Sequence, residues 1–414
     1  MAWLIWGLGA TLFCYGFFQR VAPSVMIDPL MRDFAVSGAV LGNLSAFYFY
    51  AYASLQIPVG LMVDRWGPRR MLAFGATLCA VGTLVFATAE SLLLAYAARL
   101  MVGAGAGCSF VGTLKLATNW FPASRFAQLT GLTMMAGMIG GIGGQAPLAA
   151  LVELAGWRGA LLGSGALGLA LALSIWLIVR DSPNGTNTEA AASDTAKSLL
   201  KGLGEVFSLP RNWMICLVGA SMTAPMLSFA GLWGVAWLMQ TGGMARAEAA
   251  ATTSLLLIGW AAGSPLAGYA SDRLGRRKLP LLLGALLGLA CLSALLYLRP
   301  GGPFAALLFL LAGVGLGAMA ICFAMMREIN PAENTGAAYG FLNGCVVGTG
   351  AIFQPLIGAL LDSGWDGKEI DGARLYSEAT YETAFSVLVV FLILGFLVSC
   401  TLSETGAAKG KHPK

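Results

Sequence analysis

The chain is 414 residues long, 57% hydrophobic and only 11% charged, with 55 glycines and a formal net charge of +5. Soluble domains are about a quarter charged, so this chain has too little polar residue to cover a wet surface, and its hydrophobicity also excludes disorder. Its basic residues sit at the ends of apolar runs and form no stripe interleaved with aromatics, which excludes nucleic-acid binding and leaves a polytopic membrane protein.

A helix needs about 20 apolar residues to cross the hydrocarbon core. Twelve such runs follow in chain order, near 3–27, 37–63, 71–89, 92–118, 126–152, 159–179, 212–238, 249–271, 280–298, 303–326, 336–361 and 382–402. The N-terminus has neither a positive n-region nor an A-x-A cleavage site, so the first run reads as a mature helix and not as a signal peptide. The polar stretch 181–210 divides the runs into two groups of six, and a second polar insertion, 362–381, separates the last two. The expected architecture is all-α: a six-helix bundle over 1–180, a cytoplasmic linker over 181–210, a second six-helix bundle over 211–403 and a cytoplasmic tail over 404–414.

Orientation follows from lysine and arginine placement. With both termini in the cytoplasm, the inner segments carry Arg65, Arg69, Arg70, Arg125, Arg180, Lys197, Lys201, Arg211, Arg273, Arg276, Arg277, Lys278, Arg327, Lys409, Lys411 and Lys414. The outer loops carry only Arg32, Arg158, Arg246, Arg299, Lys368 and Arg374. Sixteen against six predicts cytoplasmic termini in the cell's inner membrane.

The eight cysteines all lie in apolar stretches without metal-ligand spacing and read as small hydrophobes. The single histidine, His412, sits in the polar tail, so no metal site, cofactor or histidine-based catalytic triad is expected. A membrane enzyme is disfavoured, since no paired intramembrane carboxylates or nucleophile–base pair occur.

The two halves repeat one another. Gly60, Asp64, Arg65, Gly67, Arg69 and Arg70 recur 208 residues later as Gly268, Asp272, Arg273, Gly275, Arg277 and Lys278, with Arg276 beside them. Phe121 and Pro122 have a counterpart in Asn330 and Pro331, and Pro147 after Gln145 has one in Pro355 after Gln354. Parallel repeats of this kind belong to carriers that rock two bundles about a central site. The G-x-x-x-D-R-x-G-x-R-R loop, present twice, resembles the signature of the major facilitator superfamily, and Arg99 with Gly103 and Gly107 resembles its second motif. The likeness spans all twelve helices.

The loop acids Asp64 and Asp272 have two readings. One is a solvated ion pair worth about 0–1 kcal/mol. The other is a latch that holds the cytoplasmic face shut through an arginine on the opposite bundle, and the repetition favours it. Gly60, Gly67, Gly268 and Gly275 fit tight turns and close backbone approach.

Ionisable groups at membrane depth are costly and usually functional. Arg20 lies 17 residues into the first run, past its middle, with Gln19 before it. A cavity position is favoured over snorkelling to the interface. Arg99 and Lys115 are 16 residues apart on the fourth helix, so they face about 160° apart unless its glycines bend it. Arg99 reads as a structural or gating group; for Lys115, cavity and snorkel stand equal. No acid falls near the middle of any helix. A cavity with an unpaired arginine attracts an anion, held by bidentate hydrogen bonds. Tyr48, Tyr52 and Gln56 share one face of the second helix, and Gln145 and Gln354 sit at matching depths. Trp233 and Trp237 are either cavity residues or interface anchors.

Gln19-Arg20, the run Ser45 to Gln56 with Tyr48 and Tyr52, the Asp64 loop, Arg99 and Trp120-Phe121-Pro122 together look like the anion:cation symporter branch. The resemblance implies import of sugar acids or other small carboxylates with protons, with Arg20 as substrate arginine and Lys115 at a commonly basic position. Two positions depart: Gln19 and Ala106 stand where that branch carries acids. Exchange of one anion for another, as in the oxalate–formate and organophosphate–phosphate exchangers, needs no buried acid. The expected function is therefore transport of a small organic anion by a monomeric carrier, with protons or a counter-anion as coupling partner and the lipid bilayer as its solvent. The rivals are a carrier of dipeptides, siderophores or drugs, since the first four helices also resemble lysosomal dipeptide carriers, and a non-transporting receptor.

Overall fold

The computed structural model describes residues 1–122, 125–183, 202–331 and 334–405. In the first half the crossings begin with α1 (Ala2–Val21), followed by a short amphipathic helix, α2 (Ile27–Phe34). The second crossing is α3 (Gly38–Ser54) with α4 (Gln56–Trp66), and α5 (Pro68–Ala87) and α6 (Leu92–Trp120) follow. α7 (Phe126–Gly143) continues into α8 (Ala146–Ile178), where Gly156, at φ +69°, breaks the helix. The last part of α8 runs antiparallel to α5, with Trp157 against Phe86 at one end and Trp176 against Arg69 at the other. The stretch 128–178 is therefore two crossings.

The second half opens with α9 (Pro210–Ala224), which passes through a π-helical turn, Pro225–Trp233, into α10 (Gly234–Gly242). Then come α11 (Arg246–Leu274), α12 (Lys278–Tyr297), α13 (Gly302–Leu316) leading into α14 (Ala320–Ile329), α15 (Thr335–Ser363) and α16 (Glu378–Thr401). The described residues thus hold twelve crossings in two six-helix bundles, as the apolar runs predict. The insertion after α15 is no plain loop: Glu369–Ile370 pairs antiparallel with Ala373–Arg374. The linker is tied at both ends, since Asp181 docks on α5 and 202–208 is helical with Leu203 and Val206 buried. Residues 184–201, with Lys197 and Lys201, and 406–414, with Lys409, Lys411, His412 and Lys414, lie outside the described residues.

Lipid tails are as apolar as leucine, so helices associate through close packing of small residues. A Cβ on Gly103 of α6 would strike the Tyr48 carbonyl of α3, and one on Gly259 of α11 would strike the Leu310 carbonyl of α13. Helix starts are satisfied across helices. Asp181, three residues past the end of α8, accepts from the Arg69 backbone N–H at 2.7 Å, and Glu404, three residues past the end of α16, accepts from that of Arg277 at 2.6 Å. The repeat is thus also a repeat of caps.

The bundles meet on the face opposite the termini and part on the terminal face. On the far face, a Cβ on Gly358 of α15 would strike the Gly38 backbone of α3, and one on Gly42 would strike Gln354. On the terminal side, Gly340, Gly344 and Gly348 of α15 have open space beside them, and α4 scarcely touches that helix.

Gly103→Ala forces backbone apart where no side chain can yield, so it should cost about 1–3 kcal/mol. Gly107→Ala meets only ordinary contacts at 3.8–4.0 Å and should be near neutral. Thermal melting of both purified variants checks the contrast; equal melting temperatures would sink it.

Candidate functional site

Arg20 occupies the last turn of α1. Helical side chains lean toward the N-terminus, so its guanidinium points back toward the middle of the crossing. It is 5% exposed, and lies 4.1 Å from the Phe17 ring, 4.9 Å from Tyr52, 5.4 Å from Tyr48 and 5.8 Å from Phe49. Desolvated cation–π contacts are worth about 2 kcal/mol. Its Nε has no hydrogen-bond partner, and no carboxylate pairs with it among the described residues. The tyrosines are themselves fixed: the Tyr48 hydroxyl donates to Gly16 O at 3.1 Å, and its ring stacks on Tyr52. Gln56, one turn on, is half-buried and donates to Tyr52 O at 3.3 Å.

Arg99 stands on the other side of Tyr48, 5.4 Å from that ring and 1% exposed. Its Nη1 donates to Gln19 O at 3.0 Å. The reason is local. Pro23, four residues after Gln19, has no N–H to return to that carbonyl, and the arginine supplies the missing donor. Nε and Nη2 of Arg99 have no partner among the described residues. The structural reading of Arg99 thus has a specific basis, one that the sequence carried in Pro23.

Of the other sequence-predicted residues, Gln19 turns away from the Arg20 pocket and donates to Ser164 Oγ at 2.7 Å. Lys115 is half-buried on α6, which runs unbroken, so about 24 Å of rise separates it from Arg99. Gln145 and Gln354 converge from opposite bundles on one π-helical turn: Gln145 donates to Ala230 O at 2.7 Å and Gln354 to Leu227 O at 2.8 Å. Both leave Oε1 without a partner. Trp233 is fully buried and donates to Gln354 O, and Trp237 is buried among aromatics, so neither anchors at an interface.

The loop residues divide. Gly67 (φ +81°) and Gly275 (φ +62°) need the conformations only glycine adopts freely. Gly60 and Gly268 have nothing nearby, which corrects the expectation of close approach there. The Asp64 side chain lies outside the described residues. Asp272 pairs within its own bundle, with Arg277 at 2.5 Å, and Arg277 also bonds Glu328. Burial works against the Arg277 charge, but Glu328 and Asp272 outweigh it and hold its pKa above the ordinary arginine value. Among the described residues, no bridge from Asp272 to the other bundle forms in this conformation. Arg69 lies on Trp176 and donates to its carbonyl, Arg273 bonds Tyr269, and Arg65, Arg70 and Arg276 are exposed.

Sequence reasoning missed the charged contacts between bundles on the far face. Arg246 of α11 donates to Val25 O at 2.6 Å and lies 3.5 Å from Asp28. Asp362, at the end of α15, accepts from the Gly38 and Ala39 N–H groups of α3. The caps Asp181 and Glu404 had a readable signal, an acid two residues past the sixth apolar run of each half.

Two repeated six-helix bundles, closed together on one face and parted on the other around a buried cation, define a membrane transporter rather than an enzyme. The chain belongs to the Major Facilitator Superfamily, whose profile matches residues 8–235 and 224–414. It is 25% identical over 316 residues to a Cupriavidus necator protein named "Probable sulfoacetate transporter SauU", covering 72% of this chain and 71% of that one. It is 25% identical over 357 residues to the Bacillus subtilis "Probable galactarate/D-glucarate transporter GudP", covering 78% of each. In fold it is similar to a bacterial homolog of the human lysosomal transporter Spinster, with a TM-score of 0.77, 18% identity, and 96% and 95% of the two chains covered.

If Arg99 exists to satisfy Gln19 O, Pro23→Ala should make Arg99→Ala milder by about 1 kcal/mol, because the alanine N–H reaches the same carbonyl. Melting of the two single variants and the double variant measures the coupling; strictly additive losses would refute the pairing.

Proposed function

We propose that this transporter carries a small organic anion across the cell's inner membrane by alternating access, with both termini in the cytoplasm and Arg20 as the substrate clamp. The observation that carries the reading is the buried Arg20 guanidinium, walled by Tyr48 and Tyr52 and without an acid beside it. Burying a lone charge is unfavourable unless something compensates it, and a carboxylate ligand would do so with two parallel hydrogen bonds. The names of the relatives point the same way, since sulfoacetate, galactarate and D-glucarate are all anions. Tyr48, Tyr52 and Gln56 form the hydrogen-bonding wall. Gln145 and Gln354 close the far side of the site through the π-helical turn, and Asp64 and Asp272 serve as latches when the terminal face shuts. The open terminal face then corresponds to a state that receives solute from, or releases it to, the cytoplasm.

Purified protein in liposomes, screened by counterflow with mono-, di- and tricarboxylates, sugar acids and phosphates, tests the reading. Arg20→Ala should abolish anion binding. Arg20→Lys keeps the charge but not the fork, and should weaken binding by about 10- to 150-fold, or roughly 1.5–3 kcal/mol. Both variants should still insert, since Arg20→Ala relieves the desolvation of a buried charge and Arg20→Lys leaves the charge that the helix already carries. Normal anion transport by Arg20→Ala would overturn the assignment and put a neutral substrate ahead.

Coupling yields a separate expectation. With no acid at mid-depth, anion counterflow should persist when a protonophore removes the proton gradient. Its collapse would mean that a carboxylate at a helix end reaches the cavity.

A further inference from the structure

The far face holds one carboxylate whose contacts are unusual for a helix end. Asp362, in the last turn of α15, accepts from Gly38 N at 2.9 Å and from Ala39 N at 2.8 Å, the first two N–H groups of α3 in the other bundle. Its own bundle aims it: Arg374 donates to it at 3.0 Å, and so does the Tyr376 hydroxyl at 2.8 Å, which in turn accepts from Gly38 N at 3.1 Å. Two free helix N–H groups and the positive end of the helix dipole favour a carboxylate there. The helix has a cap of its own in waiting. Ser37 holds the extended backbone of an N-cap residue, φ −80° and ψ 171°, yet its side chain caps nothing. Its hydroxyl faces Asp362 instead.

We propose that Asp362 and Ser37 are alternative caps of one helix, exchanged as the transporter changes the face it opens. With the far face closed, Asp362 caps α3 from across the bundle interface. When that face opens, Gly38 and Asp362 separate, Ser37 turns to its own helix N–H groups, and Asp362 keeps its charge paired to Arg374. Neither state then leaves a bare helix end or a bare carboxylate, so the balance between the two caps sets the balance between the two states. This inference rests on the alternating-access reading given above.

The test uses spin labels on cysteines introduced at positions 90 and 301, exposed loop positions of the two bundles on the far face, in full-length protein whose eight native cysteines are replaced. Double electron–electron resonance in liposomes reads the far-face distance. Asp362→Ala should raise the far-face-open population about five- to tenfold, and Ser37→Ala should lower it by about the same factor. Tyr376→Phe, which leaves Asp362 in place, should shift it in the Asp362→Ala direction by less, and it carries the test if Asp362→Ala does not fold. Opposite shifts support the exchange. Two populations that the variants do not move, or move in one direction, overturn it alone. A single population in every variant overturns the alternating-access reading, and the exchange with it.

Discussion

A backbone polar group inside lipid has no water to turn to, so each must be satisfied by the protein. The architecture here depends on how that is done at the places where helices start, stop or contain proline. Asp181 and Glu404 fill the starts of α5 and α12. Arg99 fills the carbonyl that Pro23 leaves without a donor. Pro355 leaves the Ala351 carbonyl in the same position, and the Tyr50 hydroxyl of the other bundle lies 3.2 Å from it. Gln145 and Gln354 serve carbonyls of the π-helical turn that follows Pro225. Each of these irregularities in one helix is therefore a bond to another, and these positions are where the bundle is held.

The two buried arginines are answers to different problems. Arg99 donates to a neutral carbonyl of the backbone, and two of its nitrogens have no partner among the described residues. Arg20 is held by aromatic faces and by the Tyr48 and Tyr52 side chains, neutral groups that offset desolvation without neutralising the charge. A charge at the centre of a helix costs about 2.5–3.5 kcal/mol on insertion scales, and one in the last turn, where Arg20 sits, costs less. On the function proposed above, a chain that accepts this cost at Arg20, with tyrosines fixed around it and no acid beside it among the described residues, keeps a position of positive potential for an anion that arrives and leaves.

What the sequence disclosed follows from range. The twelve crossings and the 208-residue repeat are properties of composition and spacing, and they survive into the structure almost unchanged. Tyr48 and Tyr52 meet Arg20 because helical periodicity puts them on one face of α3. Contacts that depend on three-dimensional closure were hidden. Asp181 and Glu404 perform the same task but are 223 residues apart in place of 208, because the hairpin insertion lengthens the second half, so an offset search passes over them. Gln19 reads as a neighbour of Arg20, yet consecutive residues on a helix face about 100° apart, and it faces Ser164. The π-helical turn has no signature beyond Pro225. The glycines of the repeated loop look alike on paper, and backbone φ separates Gly67 and Gly275, which need glycine, from Gly60 and Gly268, where a side chain would meet open space.

On the alternating-access reading, the distribution of bonds also separates what stays fixed from what moves. Within each bundle, contacts are backbone against glycine and caps beneath neighbouring helices, and breaking them would expose polar groups to lipid. Between bundles on the far face, several bonds end on neutral carbonyls: Val25 O for Arg246, Ala230 O for Gln145 and Ala351 O for Tyr50. A neutral carbonyl released into an opening, water-filled cleft is hydrated at once, so the net cost of each broken bond is about 1 kcal/mol. The Arg246–Asp28 pair is already partly exposed, at 19% and 28% of the side chains, which makes it weaker still. Two states of a switch must lie within a few kcal/mol of one another. Bonds whose broken ends become wet meet that condition, and bonds whose broken ends would face lipid do not. The line between them runs along the contacts of α3 with α15 and of α11 with α7 and α8, where the two bundles touch.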